Sequence, residues 1–475
     1  MVQTNTMSRG ESKIFARTVV AALVAALLAA PIAGCRGAVA DRTAPSGDRA
    51  PIDHIIVLYM ENRSFDHLFG TYPGADGIAN YRGRQENGSG VPYVTLPAPL
   101  GRDGKPDARF PADLPNAPFP MLKYVGPFDL TNNPVHRFYH MQRQYQAGSD
   151  GVPMSRWVAE GTSGGASMGY FDRSALPVQW RLADEFVLLD RYFQSIHGGS
   201  FANHFFLITA AVARDPDAPA EHRAQLNADG RVIKDGDITP DGYVVNNMDP
   251  PYPPQRVRNV TRTPQTVPTI GDRLDAAGVS WRWYAAGWGS GADAVKNGLM
   301  PHHNPFQYMK RIMETPEGRT RLADAADFTT ALASGTLPSV SFVKPHARQN
   351  AHPNSSTVGA GDRWIGEMMR AIMQSPLWPR VAGVITYDEG GGYFDHVRPP
   401  TLDRFGLGTR VPTLVVSPYA RRGVIGHGQY DHASILKLIE WRYGLAPLTD
   451  RDAGASAFLE AFDFSQAPRP PVTLP

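Results

Sequence analysis

Apolar residues in this chain fall into short runs separated by helical and polar stretches. His54-Ile55-Ile56-Val57-Leu58-Tyr59-Met60 is a run with no polar face, which predicts a strand buried on both sides. Val381 to Tyr387 is a second run of this kind. Shorter strand-like runs lie at Val187-Leu188-Leu189, Val279 to Tyr284, Ser339 to Val343 and Val411 to Val416. Helical character appears from Ser64 onward and over His204 to Val212, Thr269 to Ala277, Trp364 to Met373 and His432 to Tyr443. Strands alternating with helices predict an α/β fold: a mostly parallel central sheet with helices on both faces. Residues 71–130 and 214–265 are rich in turn-forming and polar residues; the first reads as loop with little regular structure, the second as an insertion or surface excursion. No internal repeat is visible.

The N-terminus is of another kind. Arg9, Lys13 and Arg17 precede an apolar run from Val19 to Ile32, followed by Ala33-Gly34-Cys35. A basic region, an apolar core and a small-residue cleavage site predict an export signal over residues 1–35. The run is too short for a comfortable membrane-spanning helix. Cys35 is the only cysteine, so no intramolecular disulfide can form. The segment resembles a bacterial lipoprotein signal, which implies lipidation of Cys35 and attachment to a membrane through the lipid. The expected location is the cell envelope, in the outer membrane or periplasm, with secretion as the alternative. Residues 36–50 read as a tether, 51–466 as one large domain, and 467–475 as a loose proline-rich tail.

Composition narrows the field. Hydrophobic residues make up 42% of the 475-residue chain, enough for a sizeable core. Gly (46) and Pro (42) are abundant, which favours shaped loops over a helical bundle. Lys+Arg (47) nearly balances Asp+Glu (45), so bulk charge gives no case for a nucleic-acid partner.

Candidate chemistry sits at strand ends. The strand ending at Met60 delivers Glu61-Asn62, and the one ending at Tyr387 delivers Asp388-Glu389 followed by three glycines. Ligands of parallel sheets gather at the carboxyl ends of strands. Carboxylate and amide oxygens suit a hard divalent cation. Taken singly, Asn62 or Ser64 could simply cap a helix, and Asp388-Glu389 could be an exposed acidic turn. Two adjacent carboxylates repel each other unless a cation or proton lies between them, and two strand ends of one design favour a shared metal site. Ser200 follows Gly198-Gly199 and opens a helix, whose N-terminus favours a phosphoryl anion. His136, His302-His303 and His352 lie in loops and could donate to phosphate oxygens or to a leaving group.

Together these pieces resemble the bacterial acid phosphatase and phospholipase C family of the alkaline-phosphatase-like superfold. The matching segments, in the family's order over residues 51–445, are Glu61 to His67, Gly198-Gly199-Ser200, His302 to Phe306, His352-Pro353, Thr386 to Glu389, Asp395-His396-Val397, Arg410-Val411-Pro412, Ser417-Pro418 and Tyr430-Asp431-His432. The resemblance implies that Glu61, Asn62, Asp388, Glu389 and Ser200 hold one divalent metal, with calcium, magnesium or manganese favoured. It implies that Ser200 is the nucleophile and that His136, His302, His303 and His352 contact the phosphate. His140 lies one helical turn from His136 and competes for its place. Gly-Gly-Ser at 198–200 resembles the acid phosphatase branch more than the Gly-Pro-Thr of many phospholipase C members.

The expected function is a metal-dependent phosphoester hydrolase, an acid phosphatase acting on phosphorylated small molecules through a phosphoserine. Its acidic optimum would come from imidazolium donors. A phospholipase C acting on phospholipid headgroups is the alternative, and an inactive surface-anchored binding protein on the same fold is the second alternative.

Overall fold

The computed structural model describes residues 47–256 and 259–475; the predicted signal and Cys35 lie outside the described residues. Eight strands form the main sheet: β1 His54–Met60, β2 Val187–Leu189, β3 Trp281–Ala285, β4 Leu322–Ala323, β5 Val340–Lys344, β6 Val381–Tyr387, β7 Thr413–Val416 and β8 Val424–Gly426. Their order across the sheet is β8-β2-β7-β6-β1-β5-β3-β4. The runs without a polar face take the centre: β1 lies parallel between β5 and β6, and β5, β6 and β7 are buried along their whole length. β7 is the exception to the parallel rule, pairing antiparallel with both β6 and β2.

Two helix groups cover the sheet. The helices that matter here are α1 Phe65–Phe69, α2 Phe138–Gln144, α3 Pro177–Glu185, α4 Ser200–Thr209, α5 Ile270–Ala276, α6 Ala325–Ala333, α7 Val358–Gln374 and α8 His432–Tyr443. α3 packs on α7 and α7 on α6, while α4 packs on α8 and α5. Their starts are chemically marked. Thr269 and Asp431 form capping boxes for α5 and α8, each satisfying amide donors that a helix N-terminus otherwise leaves free. α7 begins at a Thr357 cap, six residues ahead of the predicted Trp364, because Gly361 lets the first turns press on Ala351, 2.7 Å from where a Cβ would stand.

Two expectations about the ends need correction, and one about a loop is narrowed. The tether does not extend to residue 50: Gly47–Arg49 form a helical turn, and a Cβ at Gly47 would strike the Trp441 carbonyl. The stretch 467–475 is not loose. Arg469 donates to the carbonyls of Glu185 and Ala420 at 2.9 and 3.2 Å, and its own carbonyl accepts from Trp378 Nε1 at 2.9 Å. Of the two readings of 214–265, the structure keeps the insertion and not the surface excursion. Ile238, Val244, Val245 and Met248 are buried, and Asn246 and Asn247 accept from the backbone N–H groups of Phe138 and Phe201 at 3.0 and 2.8 Å. That places it against the starts of α2 and α4.

Candidate active site

The parallel pairing of β1 with β6 sets Met60 beside Tyr387. The residues that follow, Glu61-Asn62 and Asp388-Glu389, therefore emerge side by side at one sheet edge. Asn62 sits in the left-handed region, φ 52°, at a cost of roughly 1–2 kcal/mol for a residue with a Cβ. Asp388 Oδ1 holds it there by accepting the Asn62 N–H at 3.1 Å. Gly391, φ 65°, lies so close that a Cβ would stand 2.3 Å from the Asn62 carbonyl oxygen. Gly391 is thus a packing requirement of Asn62.

Ser200 joins this edge from the start of α4, one residue after its Gly199 N-cap. Its hydroxyl lies 3.2 Å from Glu61 Oε2 and 3.4 Å from Asn62 Oδ1. Gly198, φ 110°, makes the approach possible, since a Cβ there would meet the Val245 carbonyl oxygen at 2.1 Å. A cavity of about 350 Å³ borders this point, lined by His136, Gly199, Asn246 and Asn247 among others.

Glu61, Asn62, Ser200, Asp388 and Glu389 have no solvent exposure. Burial pushes all three carboxyls up, and the Asp388 charge adds to the rise at Glu61 and Glu389. The ion pair with Lys344, at the end of β5, opposes that rise at Glu61. Asp388 Oδ2 and Glu389 Oε1 are buried and accept no hydrogen bond. Such orphaned anionic oxygens are costly unless a cation meets them. Oxygen donors of this kind suit a hard divalent ion. Glu61 also groups with His204 and His303, with ligand atoms within 4.8 Å of one another.

The predicted histidines gather around this core. His303 Nε2 is 3.3 Å from Glu61 Oε2. His136 Nε2 is 3.3 Å from Asn62 Nδ2 and 3.5 Å from Glu389 Oε1. The His136 and His352 rings stand 6.0 Å apart, and the His302 and His303 rings 4.3 Å apart. His140 instead faces Asp235 at 3.6 Å. Imidazolium donors are not what this setting favours. Burial holds His136 down to about 4 and His352 to about 3, and pushes His302 and His303 well below the usual histidine range.

Four neighbours were given no site role from sequence, although His432 closes the last of the matching segments. His204 lies one turn after Ser200, donates to the Ser200 carbonyl at 2.7 Å and stands 3.5 Å from Glu61. The i, i+4 spacing on a helix was the available signal. Lys344 carries the signal of a lysine closing an apolar strand. His432, at the start of α8, bonds the Asp388 carbonyl at 2.8 Å. Arg256, in the insertion, reaches His302 Nδ1 at 2.6 Å, and nothing in its local sequence marks it.

The geometry can be set beside known proteins. The family model described as Phosphoesterase family matches residues 52–446. Phospholipase C B of Mycobacterium tuberculosis is 28% identical over 463 residues, covering 89% of this chain and 80% of that protein. Non-hemolytic phospholipase C of Burkholderia pseudomallei is 28% identical over 439 residues, covering 84% of this chain and 56% of that protein. Among solved structures, a protein in the alkaline phosphatase superfamily from Vibrio parahaemolyticus aligns over 58% of this chain and 62% of its own at 10% identity, with a TM-score of 0.34. A match over most of the chain, on a parallel sheet whose carboxyl edge gathers these residues, places the chain in the Phosphoesterase family, as a hydrolase acting on phosphoric esters.

Proposed function

We propose that the protein is an exported phosphomonoesterase of the acid phosphatase kind, working through a phosphoserine at Ser200. The observation that carries this reading is the Ser200 hydroxyl at a buried helix start, 3.2 Å from Glu61 and 3.4 Å from Asn62, beside carboxylate oxygens that lack partners. Glu61, Asn62, Asp388, Glu389 and Ser200 would hold one divalent ion, with calcium, magnesium or manganese suited to the oxygen donors. Bound there, such an ion supplies Lewis-acid polarisation of a phosphoryl oxygen and a lowered pKa for a coordinated hydroxyl.

The chain's own residues do the rest. Glu61 accepts the Ser200 proton and aims Oγ at phosphorus. The Oγ–P bond forms as the P–O bond to the leaving alkoxide breaks, and the proton taken from Ser200 passes from Glu61 through a site histidine to that alkoxide. Water then attacks the phosphoserine, releasing phosphate and restoring the Ser200 hydroxyl. His136, His302, His303 and His352 surround the phosphoryl group as N–H donors or proton carriers.

The second reading is a phospholipase C, favoured by the names of the relatives that match most of the chain. Purified protein would be chelated, reloaded with calcium, magnesium or manganese, and assayed from acidic to alkaline pH. p-Nitrophenyl phosphate would be compared with phosphatidylcholine. Faster turnover of the diester would sink the monoesterase reading, and no turnover of either would leave an inactive binding protein. Export with lipidation of Cys35 is part of the proposal. Incorporation of a labelled fatty acid is expected in the wild type and not in Cys35→Ser.

A further inference from the structure

His302 differs from three other histidines of the site in what holds its Nδ1. At His136, His204 and His352 the Nδ1 atom faces a backbone carbonyl, of Pro134 at 2.7 Å, of Ser200 at 2.7 Å and of Pro353. A carbonyl only accepts, so in each neutral ring Nδ1 carries the hydrogen and Nε2 is a bare lone pair. At His302 the partner is Arg256 Nη2, 2.6 Å away. A guanidinium has only N–H donors and stays protonated, so His302 Nδ1 must accept and the ring hydrogen must sit on Nε2. Among the described residues no hydrogen bond uses His302 Nε2.

Arg256 is itself held in place. Its backbone N–H donates to Asp249 Oδ2 at 2.7 Å, and Nη2 donates to Asp249 Oδ1 at 3.3 Å. Asp249 is buried, with 4% exposure. Burial and then the Arg256 charge push His302 well below the usual histidine range, which agrees with a ring kept neutral.

Resting on the phosphoryl-transfer reading above, we propose that Arg256 is a positioning residue that locks His302 in the Nε2–H form, a standing hydrogen-bond donor to the phosphoryl group. The insertion 214–265, which supplies Arg256, thereby acts on the chemistry through one histidine.

The test reads the tautomer and the kinetics together. Protein labelled with ¹⁵N-histidine, with His302 assigned by difference from His302→Asn, is expected to show the Nε2–H pattern at neutral pH. Arg256→Met should give a mixed or reversed tautomer and lower kcat on p-nitrophenyl phosphate about tenfold, with KM changed less than about threefold. Arg256→Lys keeps a donor and should restore the tautomer and most of kcat. An Nδ1–H ring in the wild type overturns the proposal even if Arg256→Met fails to fold. So does a tautomer change without loss of kcat, or an Arg256→Lys no better than Arg256→Met. A wild type with the Nε2–H ring but no hydrolysis would instead sink the phosphatase reading and leave the lock standing.

Discussion

Two acidic clusters stand next to each other on the same two segments, and they are treated in opposite ways. The first is Glu61, Asp388 and Glu389. The second is Asp66 and Asp395, five and six residues further along. In the second, Arg410 donates to Asp395 Oδ1 at 2.8 Å and to Asp66 Oδ1 at 3.0 Å, and His396 Nδ1 lies 2.7 Å from Asp66 Oδ2. Arg410 also donates to the carbonyls of Asp76 and Asp190 at 2.7 and 2.8 Å. By donor type Asp66, Asp395 and His396 could hold an ion, but a guanidinium already fills that role. In the first cluster Lys344 pairs with Glu61, the other nearby groups are histidines at 3.3–3.8 Å, and Asp388 Oδ2 and Glu389 Oε1 have no hydrogen-bond partner. Buried charge that is fully paired fastens α1 to the loop after β6; buried charge left unpaired is available to a ligand.

This contrast can be broken at several points. The largest effect is expected at the reacting hydroxyl. Ser200→Ala should lower kcat on p-nitrophenyl phosphate by ~10³-fold or more with little change in melting temperature. Retention of more than a few percent of turnover would remove Ser200 from the mechanism. Next comes the cation. Chelation should reduce turnover by ~10²-fold or more, with recovery on adding back a divalent ion, and Asp388→Asn should lower metal content measured directly. Full activity in protein shown to be metal-free would end the metal reading of the first cluster.

The paired cluster should respond in stability instead. Arg410→Met leaves Asp66 and Asp395 buried without their partner and should cost about 3–5 kcal/mol in urea unfolding. If that variant kept its stability and lost only catalysis, the two clusters would not be divided as described.

The smallest effect is a pH dependence. Burial opposes charge on His396, yet its bond to Asp66 and the charges of Asp66 and Asp395 together outweigh this and raise its pKa. A raised histidine contributes stability that is complete below its unfolded value of about 6.5 and fades as pH rises through the folded value. The wild type should therefore melt above His396→Gln by on the order of 2 °C at pH 6, and the gap should close toward alkaline pH. A gap that widened with pH would reverse the assignment. The buried site histidines work the other way. Their lowered values mean that the unfolded chain binds more protons, so both proteins lose stability as pH falls below about 6.5. The comparison must be made at equal pH.

The sequence by itself determined the elements and the residues they carry. Runs without a polar face mark β1 and β6 because a strand covered on both sides has no solvent-facing positions. The carboxylates that end those runs, and the serine that opens α4, are visible for the same local reason. What lies between is less legible. α7 starts six residues early, at the Thr357 cap, and its first turn carries Gly359 and Gly361 where no apolar period shows. Residues 467–475 look loose because Arg469 finds its acceptors on α3 and beside β7, far away in the chain.

Only the tertiary structure decided which of the visible groups meet. It put β6 beside β1, so that Glu61 and Asp388 share an edge, and β5 on the other side of β1, which brings Lys344 to Glu61. It chose His136 over His140 and carried Arg256 to His302 across 46 residues. It also decided which acids are neutralised. A carboxylate reads the same in sequence whether or not an arginine reaches it. Pairing depends on distance in the fold, and distance sets whether buried charge fastens the chain or remains free for chemistry.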